Sequence, residues 1–335
     1  MNARTAALLA PGYSAVAAAA GVALAASACG SSDAQPSSHA PVSGDAAAET
    51  ATGEDAATSA TADGGTTPSD AASADVAASD ASSDAGDAGR DLSSDRAKFF
   101  GVSRCATAGV QLCEDFESGT LDRATWAVSG TAPVIDGVQH ARGTHALHIT
   151  QNGNGLSSIK ETKTFPEPND TYFGRAFVYF KSLPTPPGMT YAHWTIIAAS
   201  GTGVPGEIRV SGQLQSGVNL FGVGTDNRTD GGTGDWTSSD KDPGGTPSPV
   251  PLGQWLCIEW MHKGDTSETA FWWDATAHPS LSTTSSTHGG NNVPFLLPQF
   301  TNVWLGWQEY QTSTEPFEMW IDEIAIDTGR IGCVL

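Results

Sequence analysis

Phe317-Glu-Met-Trp-Ile-Asp-Glu-Ile-Ala-Ile-Asp327 is the stretch whose reading decides the fold. Phe317, Met319, Ile321 and Ala325 alternate with Trp320, Asp322, Ile324 and Ile326, which predicts a β-strand with two distinct faces. Its expected partner is Leu112-Cys-Glu-Asp-Phe-Glu117, closed by the turn residues Ser118 and Gly119. Both segments carry carboxylates where a half-buried strand avoids them, and a buried carboxylate is costly unless a cation or hydrogen-bond donors meet it. A shared hard cation that takes oxygen ligands, Ca²⁺, is the expected solution. The two ends of the folded region then close one sheet, and the residues between them build the body.

Working outward, the first 29 residues read as an export signal: Arg4, an Ala-rich apolar run, and the small residues Leu24-Ala-Ala-Ser-Ala-Cys29-Gly30. The run is broken by Pro11-Gly12 and is too short and Ala-rich for a membrane span. The residues before Cys29 resemble a bacterial lipobox, with Ala26 where Leu is usual. Cys29 is therefore the expected lipidation site, with an ordinary secretory signal cut nearby as the alternative, and acyl chains are the only predicted contact with a membrane. Residues 30–96 are Ala, Ser, Thr, Asp and Gly, with thirteen acidic side chains against Arg90 and Arg96, so about −11 of the net −21 lies there. Low hydrophobicity with one sign of charge predicts a disordered, solvated tether.

The body, 97–335, holds all ten tryptophans and is long enough for one large β domain, expected to be monomeric. No helical period is sustained, and Gly and Pro recur between short alternating runs. Strands are predicted at 146–150, 174–181, 193–199, 207–213, 218–223, 255–262, 269–273, 302–310 and 317–327. Many short antiparallel strands predict an all-β, two-sheet antiparallel jelly-roll sandwich. Residues 224–253, rich in Gly, Asp and Pro, read as a loop able to overhang a cleft; Asp226 and Asp230 there do not match a calcium-loop spacing.

Four cysteines remain in the body, an even number that predicts two disulfides in an exported protein. If Glu117 lies opposite Asp322, that register sets Cys105 beside Cys333, which favours Cys105–Cys333 with Cys113–Cys257. A local Cys105–Cys113 loop is the competitor.

Candidate binding rows follow from strand periodicity. Glu207, Arg209, Ser211 and Gln213 share one face, with Ile208 and Val210 on the other. His193 and Thr195 share a second row, and Asn302, Trp304, Gln308 and Tyr310 a third, backed by Val303, Leu305 and Trp307. Arg175, Phe177, Tyr179 and Lys181 make a fourth. An inward-curving sheet lined this way suits a sugar polymer, because aromatic faces stack on the apolar side of pyranose rings. Arginine matches a carboxylate bidentately, which favours an acidic polysaccharide. The chain's own acidity argues against nucleic acid. No Gly-x-Ser-x-Gly elbow supports an esterase. Asp322 and Glu323, being adjacent, do not make the paired carboxylates of a retaining glycosidase. Asp274 reads as a hairpin turn residue.

Cys113-Glu-Asp-Phe-Glu117, Gly143-Thr-His-Ala-Leu147, Tyr172-Phe-Gly-Arg-Ala-Phe-Val178, Gly206-Glu-Ile-Arg209 and Trp320-Ile-Asp-Glu-Ile324 resemble, in this order across about 110–330, the core domain of the cellulose-induced proteins secreted by cellulolytic fungi. The resemblance implies a polysaccharide-lyase-like, glucuronan-lyase-like jelly roll with a structural calcium ion. Its ligands would fall on Glu117, Asp322 and the loop from Arg142 to His145 through backbone oxygens. For a uronan lyase, Arg209 helped by Gln213 would neutralise the substrate carboxylate and its developing enolate. His193 would serve as base, and Tyr310 as proton donor or alternative base. Arg175, Tyr179, Glu207, Trp304 and Gln308 would bind sugar. The Gln-Ile-His and Tyr-Phe-Lys-x-Gly strings of alginate lyases do not occur. Beside the lyase stand a non-catalytic carbohydrate-binding module and a structural envelope lipoprotein.

Overall fold

A computed structural model describes residues 89–189, 191–225, 235–289, 295–311 and 315–335, with 235–238 described by backbone alone. The leader, Cys29, nearly all of the tether, and Asp226 and Asp230 lie outside them. In chain order the strands are β1 (Leu112–Glu114), β2 (Trp126–Gly130), β3 (Val134–Asp136), β4 (Ala146–Asn152), β5 (Gly155–Glu161), β6 (Thr171–Phe180), β7 (Tyr191–Thr202) and β8 (Glu207–Gln215). Then follow β9 (Val218–Thr225), β10 (Asp235–Ser239), β11 (Trp255–Lys263), β12 (Glu268–Trp273), β13 (Thr276–Ala277), β14 (Gln299–Glu309) and β15 (Pro316–Asp327). The architecture is the expected all-β, two-sheet antiparallel jelly-roll sandwich. One sheet runs β13-β12-β11-β6-β15-β4-β3, with β1 also on β15; the other runs β10-β9-β8-β7-β14-β5-β2.

The last strand sits at the middle of the first sheet. β6 pairs with it on one side, while on the other β4 takes its first half and β1 takes 324–326. Two details differ from the expectation. The register with β1 places Cys113 opposite Ala325 and ends at Glu114, so Glu117 is not opposite Asp322. A bulge between Asp322 and Ala325, with Glu323 at φ +46°, switches the faces midway. Phe317, Met319 and Ile321 face the core first, and Ile324 and Ile326 follow them, whereas Ala325 turns outward.

Aromatic rings bind the layers together. Trp194 of β7 stacks on Trp307 of β14 at 5.4 Å, and Trp307 lies parallel to Phe317 of β15 at 3.5 Å, crossing from one sheet to the other. Two glycines leave room for such rings. A Cβ on Gly212 would stand 2.0 Å from the Trp194 indole, and one on Gly174 2.0 Å from Trp260.

The outward face of the first sheet is not open to water at β6 and β11. Phe99, Ala141, Phe177, Cys257 and Cys333 form a second small core over it. Cys257 bonds to Cys333 and Cys105 to Cys113, which overturns the pairing favoured from the sequence and agrees with its local competitor. The reason is facing. Leu112 packs on the main core, so Cys113 points away from it toward the turn at 105–107, while Cys257 points outward beneath the C-terminal tail. Arg142 is 1% exposed and ties the cover down, donating to the carbonyls of Phe99 (2.5 Å) and Cys333 (2.7 Å) and to Glu323 (2.5 Å). Arg90 and Arg96, placed in the tether by composition, pair with Asp327 and Asp274 of the body. Asp274 occupies a turn at φ +49° and accepts the Cys257 N–H, as a hairpin residue does.

Candidate functional site

The side chains singled out from β7, β8 and β14 meet on the outer face of the second sheet. On β8, Ile208 and Val210 are buried in the main core, so Glu207, Arg209, Ser211 and Gln213 point the other way. β7 carries a bulge between Thr195 and Ile197, which lets Trp194, Ile196 and Ile197 all face inward. That extra residue keeps the outer rows in step: His193 lies across from Gln213, Thr195 from Ser211, and Ala198 from Arg209. On β14, Val303, Leu305 and Trp307 turn inward, and Trp304 and Gln308 turn out. Tyr310 follows directly, its N–H donating to the His193 carbonyl at 3.4 Å.

The Tyr310 ring is the centre of this patch. The His193 imidazole stacks on it at 4.4 Å and 11°, and the Arg209 guanidinium lies over it at 5.0 Å. Its hydroxyl donates to Gln308 Oε1 and shares a hydrogen bond with Thr195 Oγ1, both at 3.2 Å. Arg209 Nε donates to Glu207 at 2.8 Å, and Glu207 also accepts from Trp304 Nε1 at 3.3 Å. Burial, and then the neighbouring Arg209 charge, pull His193 down to about 4, so its ring is neutral at pH near 7. Gln213 donates to Ser239 Oγ, which the stretch 224–253 supplies at the end of β10, a strand not foreseen there. Ser211 Oγ is fully buried on the same face and has no partner among the described residues.

Sequence reasoning missed Gln311, which brackets His193. Its Oε1 accepts the His193 backbone N–H at 2.6 Å, and its Nε2 donates to His193 Nδ1 at 2.8 Å. Gln311 lies past the end of β14, beyond the reach of strand periodicity. Its spacing of one residue from Tyr310 was the only available signal.

Two expected sugar contacts lie elsewhere. Arg175 is on β6 in the other sheet, fully buried, donating to the Leu335 carbonyl at 2.8 Å and lying 3.4 Å from Glu323. Tyr179, also on β6, packs between Trp255 and Trp320 at 5.6 and 5.7 Å. Neither reaches the Arg209 patch, because β6 and β8 belong to different layers.

The four residues expected around a cation do converge on one loop. Asp322 accepts the N–H groups of Ala141 (2.8 Å) and Arg142 (3.0 Å). Glu117 accepts those of Thr144 (2.7 Å) and His145 (2.8 Å), and the Thr144 hydroxyl at 2.9 Å. Backbone donors thus take up the carboxylates from two sides of the 141–145 turn, and Gly143 at φ +61° leaves the space for Glu117. Those donors hold Glu117 below the usual carboxylate range, although burial opposes them. Asp322 is fully buried, and there burial outweighs its donors and pushes it up to about 7. Among the described residues no group of three or more His, Cys, Asp or Glu could hold a metal by side chains alone.

No protein-family model and no curated protein sequence matches the chain. Solved structures similar to it include the cellulose-induced protein Cip1, at 20% identity and a TM-score of 0.46 over 67% of this chain and all of that one. Alginate lyase vAL-1 from Chlorella virus matches at 12% identity and a TM-score of 0.39, over 66% and 100%. Domain 4 of AbnA, a GH43 extracellular arabinanase from Geobacillus stearothermophilus in complex with arabinotriose, matches at 17% and 0.39, over 67% and 94%.

Proposed function

We propose that the domain binds an acidic polysaccharide across the outer face of the β10–β2 sheet and cleaves it by β-elimination. The observation that carries this reading is the convergence of guanidinium, imidazole and phenol, with Arg209 and His193 both lying on the ring of Tyr310. In the reaction a base takes the proton α to the uronate carboxyl, the C–H electrons form the C4–C5 double bond, and O4 leaves and is protonated. Arg209, helped by Gln213, would hold the carboxylate as charge moves onto it, which is the largest contribution such a site can make. Tyr310 and His193 are the groups next to it able to handle protons. Trp304, Gln308 and Glu207 line the same surface. Incubating the chain with glucuronan, alginate and pectin, and following ultraviolet absorbance of the unsaturated uronyl end, tests it. Absence of product on all three removes the lyase reading.

One feature favours a binding module instead. Glu207 already occupies one edge of Arg209, and a fixed carboxylate there competes with a uronate. Retarded migration in gels containing a neutral polysaccharide, with no product formed, decides for that alternative.

A structural Ca²⁺ at Glu117 and Asp322, with backbone oxygens of the 142–145 loop, belongs to the same proposal. It is supported by the side chains of Glu117 and the buried Asp322 both meeting the 141–145 turn, where a hard cation would take carboxylate and backbone oxygens. A melting temperature that rises with Ca²⁺ and falls with chelator supports the ion; equal melting in both excludes it. The two disulfides fit an oxidising compartment. Acylation at Cys29 is proposed as the anchor, to be read by mass spectrometry of the mature N-terminus.

A further inference from the structure

We propose that Gln311 is a positioning residue that locks His193 in one neutral tautomer, with the proton on Nε2. Each hydrogen bond forces the next. A backbone N–H can only donate, so the Gln311 atom 2.6 Å from the His193 nitrogen must be the amide oxygen. That choice fixes the other end of the amide, and its NH₂ group is what faces His193 Nδ1 at 2.8 Å. An amide NH₂ cannot accept, so Nδ1 must, and in a neutral imidazole the single proton then sits on Nε2. The usual ambiguity of amide and imidazole orientation is removed by one main-chain donor.

The surroundings reinforce the neutral form. Imidazolium would need a proton on Nδ1, directed at an amide NH₂, and it would sit near the Arg209 cation, whose charge disfavours it. Stacking on Tyr310 holds the ring plane, and the Tyr310 N–H holds the His193 carbonyl, so the imidazole has no easy rotation to escape the lock. The consequence for catalysis rests on the lyase reading above: a ring carrying its proton on Nε2 cannot take the substrate proton there. It can stabilise charge by donating, and proton transfer falls to Tyr310. The tautomer itself does not depend on that reading.

The test is two-bond ¹H–¹⁵N correlation spectroscopy on the full chain labelled at histidine, near pH 7, with His193→Gln used to assign the signals. The expected wild-type pattern is an unprotonated Nδ1 far downfield of a protonated Nε2. Gln311→Glu keeps the shape but replaces the NH₂ with an acceptor, so the pattern should invert, with the proton moving to Nδ1. Gln311→Leu should give averaged shifts. A wild-type spectrum with the proton on Nδ1 overturns the proposal, and so does a folded Gln311→Glu chain with an unchanged pattern. The two readings fail separately. An Nε2–H ring in a chain that cleaves no uronan removes the lyase and keeps the lock, whereas cleavage with an Nδ1–H ring does the reverse.

Discussion

Replacing Glu309 with Gln should make the protein more stable at alkaline pH and nearly unchanged at acid pH. Glu309 ends β14 on its inward face, is 3% exposed, and neither carboxylate oxygen has a hydrogen-bond partner among the described residues. Trp307 Nε1, on the same face of the strand, also has none. Burial, and then the charge of Glu315, push Glu309 from its ordinary 4.5 up to about 7. The folded state therefore binds more protons than the unfolded state between those values, and stability falls as pH rises through them. A tenfold difference in proton affinity between the two states is worth about 1.4 kcal/mol, so the full penalty at high pH approaches ~3 kcal/mol, with most of it appearing between about pH 5 and pH 8. Glutamine cannot ionise and escapes it. Urea unfolding with the disulfides intact, followed by tryptophan fluorescence at both pH values, measures the effect. Asp322 and other groups that titrate in the same range cancel when wild type is subtracted from the variant. A variant-minus-wild-type difference that stays the same at both pH values would refute the reasoning.

The two disulfides should differ in worth, because they close loops of 76 and 8 residues. By chain entropy, removing Cys257–Cys333 costs about 4.5 kcal/mol and removing Cys105–Cys113 about 2.5; equal losses in denaturant unfolding of the paired Ala variants would contradict this. Gly212→Ala drives a methyl into the Trp194 indole and should cost at least about 2 kcal/mol in the same assay, with a loss under about 0.5 ruling out the packing described. Arg209→Lys keeps the charge but loses the planar fork, so product formation from a uronan should fall about a hundredfold while thermal stability barely moves. Undiminished turnover would remove Arg209 from the chemistry.

What could be read from the chain follows physical reach. Alternation of Ile208 and Val210 with Glu207, Arg209 and Ser211 is a local fact, and it fixed the facing of β8 correctly. The same pattern in Arg175, Phe177, Tyr179 and Lys181 was misleading, because alternation tells which side chains share a face but not what lies over it. Over β6 lie Phe99, Ala141 and the Cys257–Cys333 bridge, brought from segments far apart in sequence. Bulges limited the rest. The one at Asp322–Ala325 inserts a residue with positive φ and moves Ile324 and Ile326 to the core, and no residue there announces it as Gly or Pro would. The disulfide assignment was lost because β1 pairs only over Leu112–Glu114, so a register carried on to Cys105 had no ladder beneath it, and Cys105 lies in a turn beside Cys113 instead. β5 went unread because Ser157 and Ser158 fill its middle, although both are buried by pairing with β14 and β2.

The contrast between the two outer faces is what gives the site its chemistry. Over the first sheet, Arg142 is bound to carbonyls and to Glu323, and Arg175 to the Leu335 carbonyl beside Glu323, an arrangement buried beneath the cover that it holds in place. On the second sheet, arginine and histidine stack on the ring of Tyr310, and among the described residues Gln308 and Thr195 hold the Tyr310 hydroxyl while Gln311 holds His193. Glu207 is a carboxylate bound to Arg209, so Glu207→Gln separates the two readings of the patch. If the ligand is a uronan, removing the competing carboxylate should tighten its binding; if the ligand is a neutral glycan for which Glu207 is itself a contact, the same substitution should weaken it.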